Sequence, residues 1–320
     1  MLRPKHPTMQ AILGAGGAIS PALAECLTNH HIPVRLVSRT APASPFGTPF
    51  SADISTADGA LKAIEGCEVA YLTVGLPYKL SVWEQQWRPL MQQVVNACMQ
   101  SGTKLIFIDN IYMVSDASIP HIKEESPMEP SSKKGKIRAD VDRILLNGIN
   151  TGKLQAIIAR SADFYGHMPP FKSLLLDMVI TRMAKGKSPQ WFYTVDRKHS
   201  FTYIPDMAEA LYLMSTRPDS FNRIWNLPTA KAMKMSELID ITNRHLGTDM
   251  KPMVMSELLM KLVRLFVPPL MEMKELKYQM VQDYWLDSSA FESFFGFQPT
   301  SYDKGIGQVL QNISTPDPAR

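Results

Sequence analysis

Gly14, Gly16 and Gly17 crowd into the stretch AILGAGGAISPALAECL, residues 11–27, between a short apolar run and an amphipathic one. Backbone without Cβ turns tightly, and the amides of Ala18 and Ile19 beyond it could meet phosphate oxygens where a helix N-terminus adds partial positive charge. Pro21 suits a first helical turn, where its missing N–H leaves no bond unmade. The spacing is G-x-G-G-x-x-S, so Ser20 stands where the dinucleotide-binding fingerprint has its third glycine, the one that lets helix and strand pack closely. A glycine turn alone is weak; between a first strand and a first helix it predicts phosphate binding.

The next apolar run ends in VSRT. Where an NAD site would carry an acidic residue for the ribose 2′-hydroxyl, Ser38 and Arg39 offer a hydroxyl and a guanidinium suited to a 2′-phosphate, which favours NADP(H) over NAD(H). Asp53, with Ile54 in SADI, could bond an adenine amino group. Thr73, Val74 and Gly75, ending a further strand, would line the cofactor's second half. No metal site is read: Cys26, Cys67 and Cys98 show no ligand spacing, and the chain has no HExxH, GxSxG or complete P-loop.

The elements that must position these residues follow from periodicity. MQAILGA, VRLVSR, TPFSADI, VAYLTV, KLIFID and LQAIIAR read as strands, separated by helices over ISPALAECLTNH, ADGALKAIEG, 81–101 and 134–147. Strands apolar throughout and alternating with helices predict a parallel sheet covered on both faces: an α/β, Rossmann-like, doubly wound fold. After about residue 165 helices dominate: KSLLLDMVITRMAKG, MSELIDITNRHL, SELLMKLVRLFV and LMEMKELKYQMVQDYW, with β-like WFYTV and SFTYI between them. The predicted division is a dinucleotide-binding domain over 1–165, to which 195–230 return, and a smaller, mostly helical substrate-capping region over 166–194 and 231–320. The last ten residues, QNISTPDPAR, read as a frayed tail.

The chain has 320 residues, 45% hydrophobic and 20% charged, with a net charge of +4, which are globular values. The scattered basic residues argue against nucleic acid. The N-terminus MLRPKHPTMQ has no apolar run for a signal peptide, and no stretch suffices for a membrane span. Three distant cysteines fit a reducing, cytoplasmic setting.

These features resemble the extended and atypical short-chain dehydrogenases/reductases of the NAD-dependent epimerase/dehydratase family. The resemblance runs from about residue 9 to 310. It rests on the glycine turn, Asp53, KLIFIDNIYMVSD, IARSADFYGHMPP, FTYIPDMAEAL and the closing WLDSSAFESFFGFQPTSYDKGI. It implies a nicotinamide cofactor, a small carbonyl, hydroxyl or sugar-type substrate, and a homodimer through helices 81–101 and 134–147. The family's proton-transfer tyrosine stands four residues before a lysine. Here the segment is PMEPSSKKGKIRADVD: four before Lys136 is Ser132, and four before Lys134 is Pro130. The strand end that bears a serine in the family reads Asp109, Asn110, Ile111.

Three repairs remain open. Tyr112 could reach the nicotinamide from another side while Lys134 or Lys136 bonds the ribose. Tyr165 could serve, or Asp163 act as a carboxylate base. Alternatively the reaction is gone, leaving an NADP(H)-sensing protein of the nitrogen-metabolite-repressor type. Each residue also has an ordinary reading: Tyr112 as packing, Asp163 as a turn cap, Lys134 and Lys136 as a solvated basic run. Cations are unfavourable at a helix N-terminus, and an anionic cofactor would explain SSKKGK there.

Overall fold

The structure, a computed structural model, describes residues 8–40, 43–169, 172–257, 259–260 and 273–314. The chain divides into two compact units. One takes residues up to Met113, Lys133–Arg160 and Met207–Trp225; the other takes Val114–Ser132, Ser161–Asp206 and residues from Asn226 onward.

The first unit carries a seven-stranded sheet. Strands β1 (Gln10–Leu13), β2 (Val34–Ser38), β3 (Thr48–Ser51), β4 (Val69–Leu72), β5 (Lys104–Asp109) and β6 (Ala156–Arg160) run in the spatial order β6-β5-β4-β1-β2-β3, with Arg223–Asn226 beside β6. The pairs β1–β2, β1–β4, β2–β3, β4–β5 and β5–β6 are all parallel. The carboxyl ends of these strands therefore share one edge, and strand order reverses at β1, where open α/β sheets bind ligands. Helices α1 (Ser20–Asn29), α2 (Ala57–Ile64), α3 (Leu80–Ser101) and α4 (Lys133–Asn150) connect them. Leu13, Leu72, Leu105, Phe107 and Ile158 meet Ala60, Met91, Val94, Val95, Val141 and Leu145 in one apolar core, which is why these strands read as unbroken hydrophobic runs.

The inner face of α4 is not purely apolar. Lys134, Arg138 and Asp142, each one turn apart, are all buried. The Arg138 guanidinium is ion-paired to Asp109 at the end of β5 and lies 4.3 Å from the Trp87 ring centroid and 4.8 Å from that of Phe107. Burial pulls its pKa down to about 10. Asp142 faces Arg160 of β6 at 3.4 Å, its carboxyl pushed up by burial against the pull of Arg160 and Arg138.

The second unit packs Trp191, Phe192, Phe201, Leu238, Ile239 and Ile306 into a separate core. Its strands Phe201–Tyr203 and Asp163–Tyr165 pair in parallel. That pairing holds 201–203 in this unit, so the return to the first begins at Met207 rather than near 195. Residues 114–132 also belong here rather than to the expected 1–165 domain. Ile122 bridges Leu286 and donates its N–H to the Trp285 carbonyl at 2.8 Å.

Helix Met235–Leu246 forms as expected, whereas 172–186 holds a π-helical turn, Leu176–Ile180, before the α-helical Thr181–Ala184. The long helix expected over 270–285 is cut short. Lys277–Met280 is helical, but Tyr284 exchanges backbone bonds with Lys198 and Ser200, which draws the chain into an extended bridge. Most of the helix expected from SELLMKLVRLFV, and most of the expected tail, lie outside the described residues. Among the described residues no helix is long and apolar enough to cross a membrane.

Removing one charge of a buried pair strands the other. Arg138→Met should therefore cost about 3–5 kcal/mol in chemical denaturation, and adding Asp109→Leu should recover most of that loss. A loss under about 1 kcal/mol for the single variant would contradict this reading of the pair.

Candidate functional site

The turn after β1 has a shape only glycine fits well. Gly14 lies at φ 115° and Gly16 at φ 89°, a region that side chains with a Cβ rarely enter. A Cβ on Gly14 would stand 2.9 Å from the Val74 nitrogen and 3.0 Å from the Thr73 hydroxyl; one on Gly17 would stand 3.2 Å from the Gly14 carbonyl. The Gly14 and Ala15 amides both donate to the Val37 carbonyl at 2.9 Å, which pins the turn between β2 and β4. Ile19 then caps α1 without a side-chain bond, Pro21 lies in its first turn, and Ser20 is buried. With no side chain at Ile19 to accept from them, the first amides of α1 remain donors for another acceptor, Ala18 and Ile19 standing immediately before them.

Thr73 is tied down, its amide and its hydroxyl both donating to the Leu13 carbonyl at 2.9 and 3.1 Å. Val74 follows half-buried, and Gly75 has open space where a Cβ would be. At β2 the half-buried Ser38 is followed by an exposed Arg39, whose carbonyl accepts the Ser51 hydroxyl at 3.0 Å. Asp53 makes an Asx turn: one carboxylate oxygen accepts the Ser55 amide at 3.0 Å and the Ser55 hydroxyl at 2.7 Å. These bonds, with a smaller contribution from Arg39, hold its carboxyl below its ordinary value. Ile54 beside it is buried. Gly14, Gly16, Gly17, Ala18, Ile19, Ser38, Arg39, Asp53, Thr73, Val74 and Gly75 thus occur at the carboxyl edge of one sheet and the loops leading from it.

Asp109, Asn110 and Tyr112 follow β5. Asp109 accepts the Asn110 amide at 2.7 Å as well as pairing with Arg138. Asn110 in turn accepts the Tyr112 amide at 2.9 Å, so the loop is fixed by side chains rather than by ladder bonds. Tyr112 is half-buried, stacked on Trp83 with ring centroids 6.1 Å apart, and edge-on to Tyr78 at 6.4 Å. Lys134 and Lys136 part company. Lys136 is exposed, as the solvated reading expects; Lys134 is 1% exposed, with its ammonium 4.4 Å from the Tyr78 ring centroid. Tyr78, Trp83 and Arg138 escaped sequence reading. The four-residue spacing of Lys134, Arg138 and Asp142 is the signal that could have marked this face of α4.

In the second unit Asp163 is paired to a buried histidine, His199, at 2.9 Å. The imidazole is held by Phe201 and Tyr284, with ring centroids 4.6 and 4.5 Å away. His199 carried no local pattern; its partner is 36 residues away in sequence. Tyr165 is a core residue: its phenol is raised by burial well above the usual range, and its hydroxyl packs onto Gly305, where an added Cβ would stand 2.3 Å away.

A doubly wound parallel sheet with a glycine turn at its switch point defines a dinucleotide-binding α/β protein. The match narrows that class. The model of the NAD-dependent epimerase/dehydratase family matches residues 11–227, and the chain belongs to that family. Solved structures share its fold over nearly its whole length. UDP-N-acetylglucosamine 4-epimerase from Bacillus cereus superposes with a TM-score of 0.77 at 15% identity, covering 97% of each chain. UDP-glucose 4-epimerase from Thermotoga maritima, with UDP-glucose, gives 0.77 at 14% identity, covering 95% of this chain and 98% of that one. dTDP-glucose 4,6-dehydratase from Bacillus anthracis, in complex with NAD, gives 0.75 at 13% identity, covering 95% of each. No curated protein sequence matches the chain.

The residues present fit the dinucleotide part of a nicotinamide cofactor, because the close approach at Gly14 and the amide-only start of α1 are what a pyrophosphate needs. Gly14→Ala should lower affinity for the dinucleotide about tenfold or more in a fluorescence titration, since the turn must open to admit the Cβ. Unchanged affinity in a folded Gly14→Ala protein would show that this turn does not hold the phosphates.

Proposed function

We propose that the chain is an NADP(H)-dependent enzyme of the epimerase/dehydratase class, acting on a small carbonyl, hydroxyl or sugar-type substrate with an altered proton-transfer group. The observation that carries this reading is Lys134. It is 1% exposed at the start of α4, with its ammonium 4.4 Å from the ring centroid of Tyr78, which in turn lies edge-on to Tyr112. Exposed Lys136 has no comparable placement.

The glycine turn, with Ala18 and Ile19, would hold the pyrophosphate. Ser38 and Arg39 would take the 2′-phosphate, and Asp53 with Ile54 the adenine. Thr73, Val74, Gly75 and Asn110 would border the nicotinamide half, with Lys134 at its ribose. Bound there, a nicotinamide supplies a hydride donor or acceptor, and the protein must supply the proton. Tyr112 is the favoured group for that transfer. Its loop is locked through Asn110, and a phenol is a far better proton donor near neutrality than the serine or proline standing four residues before the two lysines. Asp163, oriented by His199, is the alternative base.

Solved relatives by fold are sugar-nucleotide epimerases and dehydratases, some in complex with NAD, which supports the cofactor class and a sugar-type substrate. A cytoplasmic homodimer completes the proposal. Helices α3 and α4, joined by the Arg88–Asp140 ion pair at 2.7 Å, would form the dimer contact.

A non-catalytic NADP(H) sensor is the second reading. It is favoured by Pro130 at the family's tyrosine position and by the packing of Tyr112 on Trp83.

Two measurements separate the readings. Titration with NAD⁺, NADH, NADP⁺ and NADPH should show the phosphorylated pair bound more tightly, with Arg39→Ala removing about tenfold or more of that preference. Equal binding of both pairs would remove the NADP(H) assignment. In a screen of nucleotide-sugar and small carbonyl substrates, Tyr112→Phe and Lys134→Met should each lower turnover about a hundredfold or more, while Lys136→Met leaves it unchanged. Cofactor binding with no turnover on any substrate would favour the sensor.

A further inference from the structure

The C-terminal end of α1 carries a group of residues that the dinucleotide site does not use. Cys26 and His30 are four residues apart and therefore share one face of the helix. Their spacing is enforced by backbone, since the His30 amide donates to the Cys26 carbonyl at 3.1 Å. Glu209, in the part of the helix Ile204–Thr216 that belongs to the same unit, completes the group. One of its carboxylate oxygens lies 3.3 Å from the Cys26 sulfur and 3.1 Å from His30 Nε2. The three ligand atoms lie within 4.8 Å of one another.

We propose that Cys26, His30 and Glu209 form a binding site for a divalent transition-metal ion of the Zn²⁺ type. A tetrahedral zinc ion with bonds of about 2.0–2.3 Å holds neighbouring ligand atoms about 3.3–3.7 Å apart, close to the 3.1 and 3.3 Å that separate Glu209 from His30 and Cys26. The donor set is one thiol, one imidazole nitrogen and one carboxylate. That mixture suits zinc and its neighbours and does not suit Mg²⁺ or Ca²⁺, which take oxygen ligands.

The site is also preorganised. The His30 ring is stacked on Tyr212, with centroids 3.6 Å apart and planes 10° from parallel, and Tyr212 lies one turn from Glu209 on the same helix. The imidazole therefore cannot swing away without losing that contact. Solvent reaches the group from one side, with the His30 and Glu209 side chains 35% and 38% exposed, so an ion has a path in and room for a water as fourth ligand.

The charges the three groups can present suit a dication. The sulfur would bond the metal as thiolate, its proton would leave to solvent, and the ion would meet one carboxylate and one thiolate, two negative charges for its two positive ones. No redox step is involved. The linear pattern concealed the site because Glu209 stands 179 residues after His30.

The test uses the full-length protein, stripped of metal by a chelator and titrated with Co²⁺ under anaerobic conditions, then with Zn²⁺. The expected result is one Co²⁺ per chain with a thiolate-to-cobalt charge-transfer band that Zn²⁺ abolishes. Cys26→Ser should eliminate the band. Glu209→Gln and His30→Gln should each weaken Zn²⁺ binding about tenfold or more, and His31→Gln, at the exposed neighbouring position, should not. Circular dichroism identifies any variant that fails to fold, and the remaining variants carry the test. No Co²⁺ bound, binding without a thiolate band, or a band that survives Cys26→Ser would each overturn the proposal.

Discussion

The buried ion pair between Asp109 and Arg138 is the contact on which the arrangement of the first unit most depends. Taking two charges out of water costs several kcal/mol apiece, and a pair of apolar side chains could fill the same space as stably. What the pair adds is direction. Asp109 ends β5 and also accepts the Asn110 amide, while Arg138 lies one turn beyond Lys134 on α4. One carboxylate therefore sets both the loop that carries Tyr112 and the helix that carries Lys134. Trp83, Trp87 and Phe107 pack around the guanidinium, so this polar link runs through the middle of an aromatic cluster and cannot slide.

A second constraint lies at β1. Strand order reverses there, the Val37 carbonyl ties the turn to β2, and Gly14 sits against the Val74 amide from β4. The turn is held from both sides: its Gly14 and Ala15 amides donate to Val37 and its Gly17 amide to Gly14, so an anion would be met by the amides at the start of α1. Ser20 in place of a third glycine is accommodated by burial as the first residue of α1, a small side chain tolerated where a larger one would wedge helix from strand. The two constraints are adjacent in the sheet through β4. The glycine turn and the lysine–aromatic cluster therefore stand on neighbouring parts of one sheet edge.

Much of the first unit was legible in the sequence because its physics is local. Strands buried on both faces must be apolar throughout, and a tight strand-to-helix turn must use glycine. The reading failed where partners are distant. KKGKIR looks like a solvated basic run, yet Lys134 and Arg138 point inward because Asp109, Tyr78 and Trp87 wait for them from other elements. Asp163 was singled out from its segment, but nothing near it announced His199. Residues 281–285 close the run LMEMKELKYQMVQDYW that reads as one helix, and backbone bonds to Lys198, Ser200 and Ile122 draw them out of it. Boundaries moved for the same reason, with the segment 114–132 claimed by contacts to Trp285 and Leu286 that no periodicity encodes.

The central claim is that the carboxyl edge of the first unit's sheet binds a phosphorylated nicotinamide dinucleotide. Hydrogen–deuterium exchange of the full-length protein with and without saturating NADPH tests it most directly, because it reports where a ligand acts as well as whether one binds. Slowed exchange is expected at residues 14–20, at 38–39 and at 73–75, with a further effect in the loop 110–113, and none in the outer turns of α3. Unchanged exchange at 14–20 in the presence of NADPH, or protection confined to other parts of the chain, would contradict it.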